Sequence, residues 1–172
     1  RTLKAKNNTS NNIYINEPDT LDIKAITQSA TNGIINILAN NAITQSGNIS
    51  SVDNGQITIT STAGSIAMND GTSTTSTNAS INLDAATNIT TEILATGAAD
   101  VSLYARAGYI QDLDASSLIT TATRLNLSAG TNIATSLNHL NTNVANIVTL
   151  SSNGATYIHE ENAITINSMS SS

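Results

Sequence analysis

Apolar pairs separated by one residue recur along the whole chain: Ile13-Tyr14-Ile15, Ile35-Asn36-Ile37, Ile57-Thr58-Ile59, Ile81-Asn82-Leu83, Val101-Ser102-Leu103, Leu125-Asn126-Leu127 and Val148-Thr149-Leu150. Their first residues stand 22, 22, 24, 20, 24 and 23 positions apart, 22.5 on average. A period of two puts both apolar residues on one side of a short strand and the middle residue on the other. A second apolar anchor follows each pair by eight to ten residues, at Leu21, Ile43, Ile66, Ile89, Ile110, Ile133 and Ile158. A looser third position recurs at Ile49, Ile93 or Leu94, Leu113 or Leu118, and Leu137 or Leu140. Small turn residues link the first two, as in Ala63-Gly64-Ser65, Ala107-Gly108-Tyr109, Ala129-Gly130-Thr131-Asn132 and Asn153-Gly154, where Gly and Asn accept a positive φ at a tight corner.

A unit of this length cannot bury its own apolar side, whereas stacked units bury it at every turn. The pattern therefore predicts an all-β fold, a right-handed parallel β-helix (β-solenoid) with about 7–8 coils of about 22 residues. With equivalent strands about 4.8 Å apart the rod is roughly 35 Å long. A left-handed hexapeptide helix needs an aliphatic residue every six positions, and calcium-binding nonapeptide repeats need Gly-Gly-x-Gly-x-Asp runs; neither pattern is present. An immunoglobulin-like sandwich has no 22-residue register.

Composition sharpens this picture. Asn, Ser and Thr make up about two-fifths of the 172 residues, charged residues 10%, and Phe and Trp are absent, as suits a core of repeated small aliphatic columns. The length fits a single domain, 1–172, and the start at Arg1 suggests a segment of a longer repetitive protein or filament. A net charge of −6 with six thinly spread cations leaves no basic patch, so nucleic acid is not an expected partner. No apolar run is long enough to be a membrane-spanning segment. Zero Cys excludes disulfides and thiolate metal sites, and is compatible with passage through an oxidising compartment.

The phrases Ala42-Ile43-Thr44-Gln45-Ser46-Gly47-Asn48-Ile49, Ser61-Thr62-Ala63-Gly64-Ser65-Ile66 and Leu125-Asn126-Leu127-Ser128-Ala129-Gly130-Thr131-Asn132-Ile133 resemble the repeats of filamentous-haemagglutinin-like exoproteins, and Ile26-Thr27-Gln28-Ser29 echoes the first. The resemblance spans about residues 13 to 166. It implies a bacterial protein exported to the cell surface or medium, whose β-helical shaft carries adhesion, aggregation or toxin-delivery modules. The amino-terminal secretion domain of that family has no counterpart in these residues.

Candidate chemistry is sparse. His139 and His159 lie 20 residues apart near Glu160 and Glu161, but their offsets from the nearest pairs differ, so a shared metal is not expected. No catalytic residue and no cofactor is expected. A carbohydrate-active β-helix, as lyase or hydrolase, is the rival function; it needs Arg106, Asp112, Asp114 and Arg124 on one groove, with Glu92 one coil earlier. A glycan- or host-binding module is a third. It would use exposed tyrosines: Tyr14, Tyr104, Tyr109 and Tyr157 each flank an inward anchor, which alternation turns outward, and Tyr104, Tyr109 and Tyr157 are the ligand-contact candidates.

Asn36, Asn82 and Asn126 within the pairs, and Asn48, Asn88 and Asn132 before anchors, suggest hydrogen-bonded stacks between coils. Thr-x-Thr at Thr58, Thr72, Thr75 and Thr121 does not recur at one register, as an ice-binding face requires, and the sequons at Asn48, Asn88 and Asn126 follow from composition alone. Residues 1 to 10 and 168 to 172 carry no amphipathic capping helix, so open strand edges are expected to accept further coils or further copies stacked end to end. The expected role is thus a structural or adhesive shaft, extracellular or on a bacterial cell surface, with glycans or other cells as further partners.

Overall fold

The computed structural model describes residues 1–121 and 123–171, and among these the chain forms 21 short strands and no helix. The strands stack in parallel as a right-handed β-solenoid of about seven coils, about 22 residues apart. The hand is that of nearly all parallel crossovers, because right-twisted strands pack back onto their sheet only that way.

Three faces make up the rod. The first consists of Ile13–Glu17, Ile35–Ala39, Ile57–Ser61, Ile81–Ala85, Val101–Ala105, Leu125–Ala129 and Asn146–Ser152, followed by the short Thr165–Ile166 and Met169–Ser171. The second holds Ile43–Gln45, Ile66–Met68, Ile89–Thr91 and Ile110–Asp112, and fades to single bridges at Ile133 and Thr156. The third holds Ile49–Ser51, Ser73–Ser76, Ile93–Thr96, Leu118–Thr121, Leu140–Val144 and Ile158–Glu160. In the first coil Leu21–Gln28 runs through both of these faces, and the edge strand Thr2–Asn7 pairs along it.

The first face follows the expected register. Ile35 faces Ile57, Ile57 faces Ile81, Ile81 faces Val101 and Val101 faces Leu125, all fully or almost fully buried, and Ile37, Ile59, Leu83, Leu103 and Leu127 form the parallel column. A third inward column of small residues, Ala39, Ser61, Ala85, Ala105 and Ala129, lies where the chain bends toward the second face. Each fully buried aliphatic side chain removes enough surface to contribute about 2 kcal/mol, repeated at every coil.

The last pair needs a correction. Leu125 faces Ile147, and Asn126 faces Thr149, so Val148 is the extra residue of a bulge and Ile147 is the buried anchor. Ile158 is likewise not a second-face anchor: it pairs with Leu140 on the third face, and Thr156 bridges to Ile133 instead. Of the alternatives at the third position, Leu94 and Leu140 point inward, while Ile93 is partly exposed and Leu137 is 98% exposed. Neither Leu113 nor Leu118 is the anchor of its coil; Ile119, opposite Leu94, is.

Corner chemistry also differs from expectation. The glycines at 108 and 154 are required by close approach and not by φ, since a Cβ on Gly108 would stand 2.0 Å from Asn88 Oδ1 and one on Gly154 2.0 Å from Asn132 Oδ1. Positive φ falls instead on Asn11, Asn32 and Asp53, which follow the third face in successive coils, and on Ala134 and Gly71. Asn and Asp tolerate that region because their short polar side chains bond locally.

Candidate functional site

Bonds between asparagines do link neighbouring coils, as from Asn54 Nδ2 to Asn32 Oδ1 at 3.1 Å, but the asparagines expected to stack do not pair with one another. The outward column of the first face reads Asn36, Thr58, Asn82, Ser102, Asn126, so hydroxyl residues interrupt it, and the side-chain bond runs from Asn126 Nδ2 to Ser102 Oγ at 3.2 Å. The asparagines before the anchors accept amides of the following coil: Asn48 Oδ1 from Ser73 N at 2.9 Å, Asn88 Oδ1 from Tyr109 N at 3.1 Å and Asn132 Oδ1 from Ala155 N at 3.0 Å.

A second polar device lines the inside of the third face. Gln28, Ser51, Ser76, Thr96 and Thr121 occupy one inward column and are buried. Ser51 Oγ donates to Gly33 O at 3.2 Å, Ser76 Oγ to Gly55 O at 3.1 Å, Thr96 Oγ1 to Ala79 O at 3.0 Å, and Thr121 Oγ1 to Ala99 O. These hydroxyls satisfy carbonyls at a corner where no ladder can.

The most polar part of the interior lies between the second and third faces. Asp112 and Glu92 are 0% and 1% exposed. Asp112 pairs with Thr91 in the second-face ladder; its Oδ1 accepts from Thr91 Oγ1 at 3.2 Å and its Oδ2 from the Asn141 amide at 2.6 Å. Ser117 Oγ donates to Glu92 Oε2 at 2.7 Å, and the amide of Glu92 points at Met68 Sδ, 3.5 Å away. Burial pushes the Asp112 carboxyl up to about 7, and the nearby Glu92 charge adds to the rise, against the pull of the Asn141 amide and the Thr91 hydroxyl.

That placement separates the four residues proposed for a carbohydrate-active groove. Asp112 is inside the rod. Arg106 lies just beyond the first face, with its Nε donating to Asp84 Oδ1 at 2.8 Å, and Asp84 raises its pKa further. Arg124, just before the first-face strand of its coil, pairs with Asp100 at 2.8 Å. Asp114 is tied into its own turn by the amide and hydroxyl of Ser116, which hold its carboxyl below the usual range. Glu92 does meet Asp112, but inside the core.

Among the tyrosines, Tyr14 is 66% and Tyr104 40% exposed, whereas Tyr109 is half-buried and Tyr157 packs against the core. Tyr104 shares a surface hollow with Asp84, Arg106 and Ser128. The Tyr157 ring lies 6.0 Å from the ring of His139, and His159 Nδ1 is 3.3 Å from Asn141 Oδ1. Among the described residues no three His, Cys, Asp or Glu side chains converge as a metal site, and no helix is long and apolar enough to cross a membrane.

Sequence reasoning missed Ser117 as the partner of Glu92, since nothing in the spacing marks it. No protein-family model matches this chain, no curated protein matches its sequence, and no solved structure matches its fold.

Proposed function

We propose that this chain is a stiff structural shaft of a bacterial extracellular or cell-surface protein, of the filamentous-haemagglutinin-like kind that its repeat phrases resemble. One observation carries the reading: the apolar columns of the first face run unbroken from Ile13 to Ile147, so each coil is held mainly by its neighbours and the molecule is built along one axis. Such a rod spaces whatever it carries from the surface that holds it, and attachment to cells or matrix belongs to what it carries.

The test has two parts. Deleting residues 57–100 in frame replaces Ile57 by Val101 at an equivalent position and removes two coils. The product is expected to keep a cooperative β circular-dichroism transition and to shorten by about 10 Å in small-angle scattering. Protease shaving of intact cells that make the protein is expected to digest it. Loss of folding on coil removal, or complete protection from shaving, refutes the shaft reading.

Glycan binding on the same fold is favoured by one feature, the exposed Tyr104 ring beside the Asp84–Arg106 pair, which offers a stacking face next to hydrogen-bonding groups. Binding on a glycan array that disappears with Tyr104→Ala supports it; unchanged binding removes Tyr104 from it.

A further inference from the structure

Four successive strands of the first face, Ile35–Ala39, Ile57–Ser61, Ile81–Ala85 and Val101–Ala105, turn two columns of side chains outward. One column reads Leu38, Thr60, Asp84, Tyr104 and the other Asn36, Thr58, Asn82, Ser102. The strand Ile13–Glu17 lies beside this patch in one direction and Leu125–Ala129 in the other, so its exposure is that of the lateral surface of the rod and owes nothing to either end.

Leu38 and Tyr104 are the large apolar side chains of the patch, 37% and 40% exposed. They stand in the same column, three strand steps or about 14 Å apart along the axis. The corresponding outward columns of the other two faces, Thr44, Ala67, Thr90, Gln111 and Ser50, Thr75, Ala95, Thr120, hold no aromatic.

Between Leu38 and Tyr104 the surface is polar and uncommitted. Asn36, Thr58, Thr60 and Asn82 are exposed or half-buried, and among the described residues their side chains make no hydrogen bond. Elsewhere such groups are engaged, as Asn126 is with Ser102 and Asn88 with the Tyr109 amide. Two amides and two hydroxyls supply both donors and acceptors, the pairing that sugar hydroxyls require.

Charge narrows the ligand further. The chain as a whole carries −6, yet the one charged group on the patch is Asp84, which accepts from Arg106 Nε at 2.8 Å. At the opposite margin Arg124 pairs with Asp100 at 2.8 Å. The patch thus presents neither an unpaired cation nor an unpaired carboxylate. Its column is straight and neither apolar side chain stands clear of the sheet, so only a straight, flat molecule touches both.

We propose that the outer side of the first face, from Leu38 to Tyr104, binds an uncharged, extended, unbranched polysaccharide laid along the rod axis. This rests on the reading of Tyr104 as a glycan contact, to which it adds the class of chain and its direction. Tyr104 and Leu38 support sugar rings by their apolar surfaces, and Asn36, Thr58, Thr60 and Asn82 meet the hydroxyls between them.

Calorimetry of the 172-residue chain with β-1,4-glucan oligosaccharides of increasing length tests this, with polygalacturonate oligosaccharides as the acidic counterpart. Glucan affinity is expected to rise with length until Leu38 and Tyr104 are both covered. Raising salt from about 0.05 M to about 0.5 M should leave it unchanged, since binding neutralises no charge. Tyr104→Ala should weaken it about tenfold, while Tyr104→Phe, which keeps the ring, should stay within about twofold. Leu38→Ala should cost about threefold, and only with oligosaccharides long enough to reach it. Circular dichroism is expected to be unchanged in all three variants, whose side chains lie outside the core. Absence of glucan binding, or glucan binding that Tyr104→Ala leaves intact, overturns the proposal. Tyr104-dependent binding of acidic oligosaccharides alone also overturns it, but leaves Tyr104 standing as a glycan contact; if no glycan binds through Tyr104, both fall. Self-association of the chain that Tyr104→Ala abolishes makes a second copy the occupant and overturns it as well.

Discussion

Asp112 gives the rod an acid-favouring stability that Asp112→Asn should remove. Burial raises its folded-state pKa from 3.8 to about 7. The folded chain therefore holds a proton that the unfolded chain has released over the window between about pH 4 and pH 7, and stability falls as pH rises through it. A rise of about three units, at 1.36 kcal/mol each, is on the order of 4 kcal/mol across the window. Below the window the sign reverses, because Asp19, Asp22 and Asp114 are held below their ordinary value by hydrogen bonds from Asn41, Ser46 and Ser116, and the stability they contribute is lost as pH falls through their folded-state pKa. Maximum stability is thus expected near pH 4 to 5.

Asn in place of Asp112 keeps an oxygen for the Asn141 amide and offers an NH2 to Thr91 Oγ1, which can turn its own proton toward Gln111 O, 3.4 Å away. Urea unfolding at pH 5 and pH 8 is the assay. At pH 5 the variant should match wild type within about 1 kcal/mol, and at pH 8 it should exceed it by about 2–4 kcal/mol. A wild type more stable at pH 8 than at pH 5, or an Asn variant weaker than wild type at pH 8, refutes the argument.

Four further substitutions probe the other elements by the same unfolding measurement. Ile59→Ala removes a 1% exposed side chain between Ile37 and Leu83 and is expected to cost about 3–4 kcal/mol. Thr96→Val keeps the shape but strands the Ala79 carbonyl that the hydroxyl serves, for a loss of about 1–2 kcal/mol. Gly108→Ala drives a methyl to within 2.0 Å of Asn88 Oδ1 and 2.8 Å of the Thr87 backbone, and should cost at least about 2 kcal/mol, whereas Asp53→Gly, at φ 51°, should gain about 0.5 kcal/mol.

The first face was legible because two physical requirements coincide there: a strand shows its inward side every second residue, and the inward side is aliphatic, as at Ile57-Thr58-Ile59 and Leu125-Asn126-Leu127. The third face was not, because Thr74 and Thr142 are fully buried at positions where Ile49 and Leu94 stand in other coils. Thr74 Oγ1 donates to Gln45 Oε1 at 2.8 Å and Thr142 Oγ1 to Glu160 Oε2 at 2.7 Å, so both hydroxyls are satisfied within the rod. Hydropathy alone assigns such residues to the surface. Asp112 misled for the same reason: an acidic residue between two arginines looks like a solvated turn until the Asn141 amide, 29 residues on, is found at its carboxylate. At residue 148 the aliphatic run Ile147-Val148 offered two registers, and only the ladder to Leu125 chooses between them.

These differences explain how a solenoid tolerates coils of unequal length. From the first face to the second the chain takes eight or nine residues in every coil, from Ile13 to Leu21, Ile57 to Ile66 and Leu125 to Ile133 alike. Between the second face and the third it takes from four residues, Thr156 to Glu160, to nine, Ile110 to Ile119. Doubling such a segment adds only about 0.6 kcal/mol of closure entropy, which is small beside one misplaced core isoleucine. What a longer corner does require is a partner for each backbone group it exposes, and from the third face to the next first-face strand, a span that runs from four residues, Thr121 to Leu125, to seven, Gln28 to Ile35, the buried column from Gln28 to Thr121 supplies hydroxyl and amide donors in five successive coils. The aliphatic face therefore fixes the register, and the polar face absorbs the irregularity.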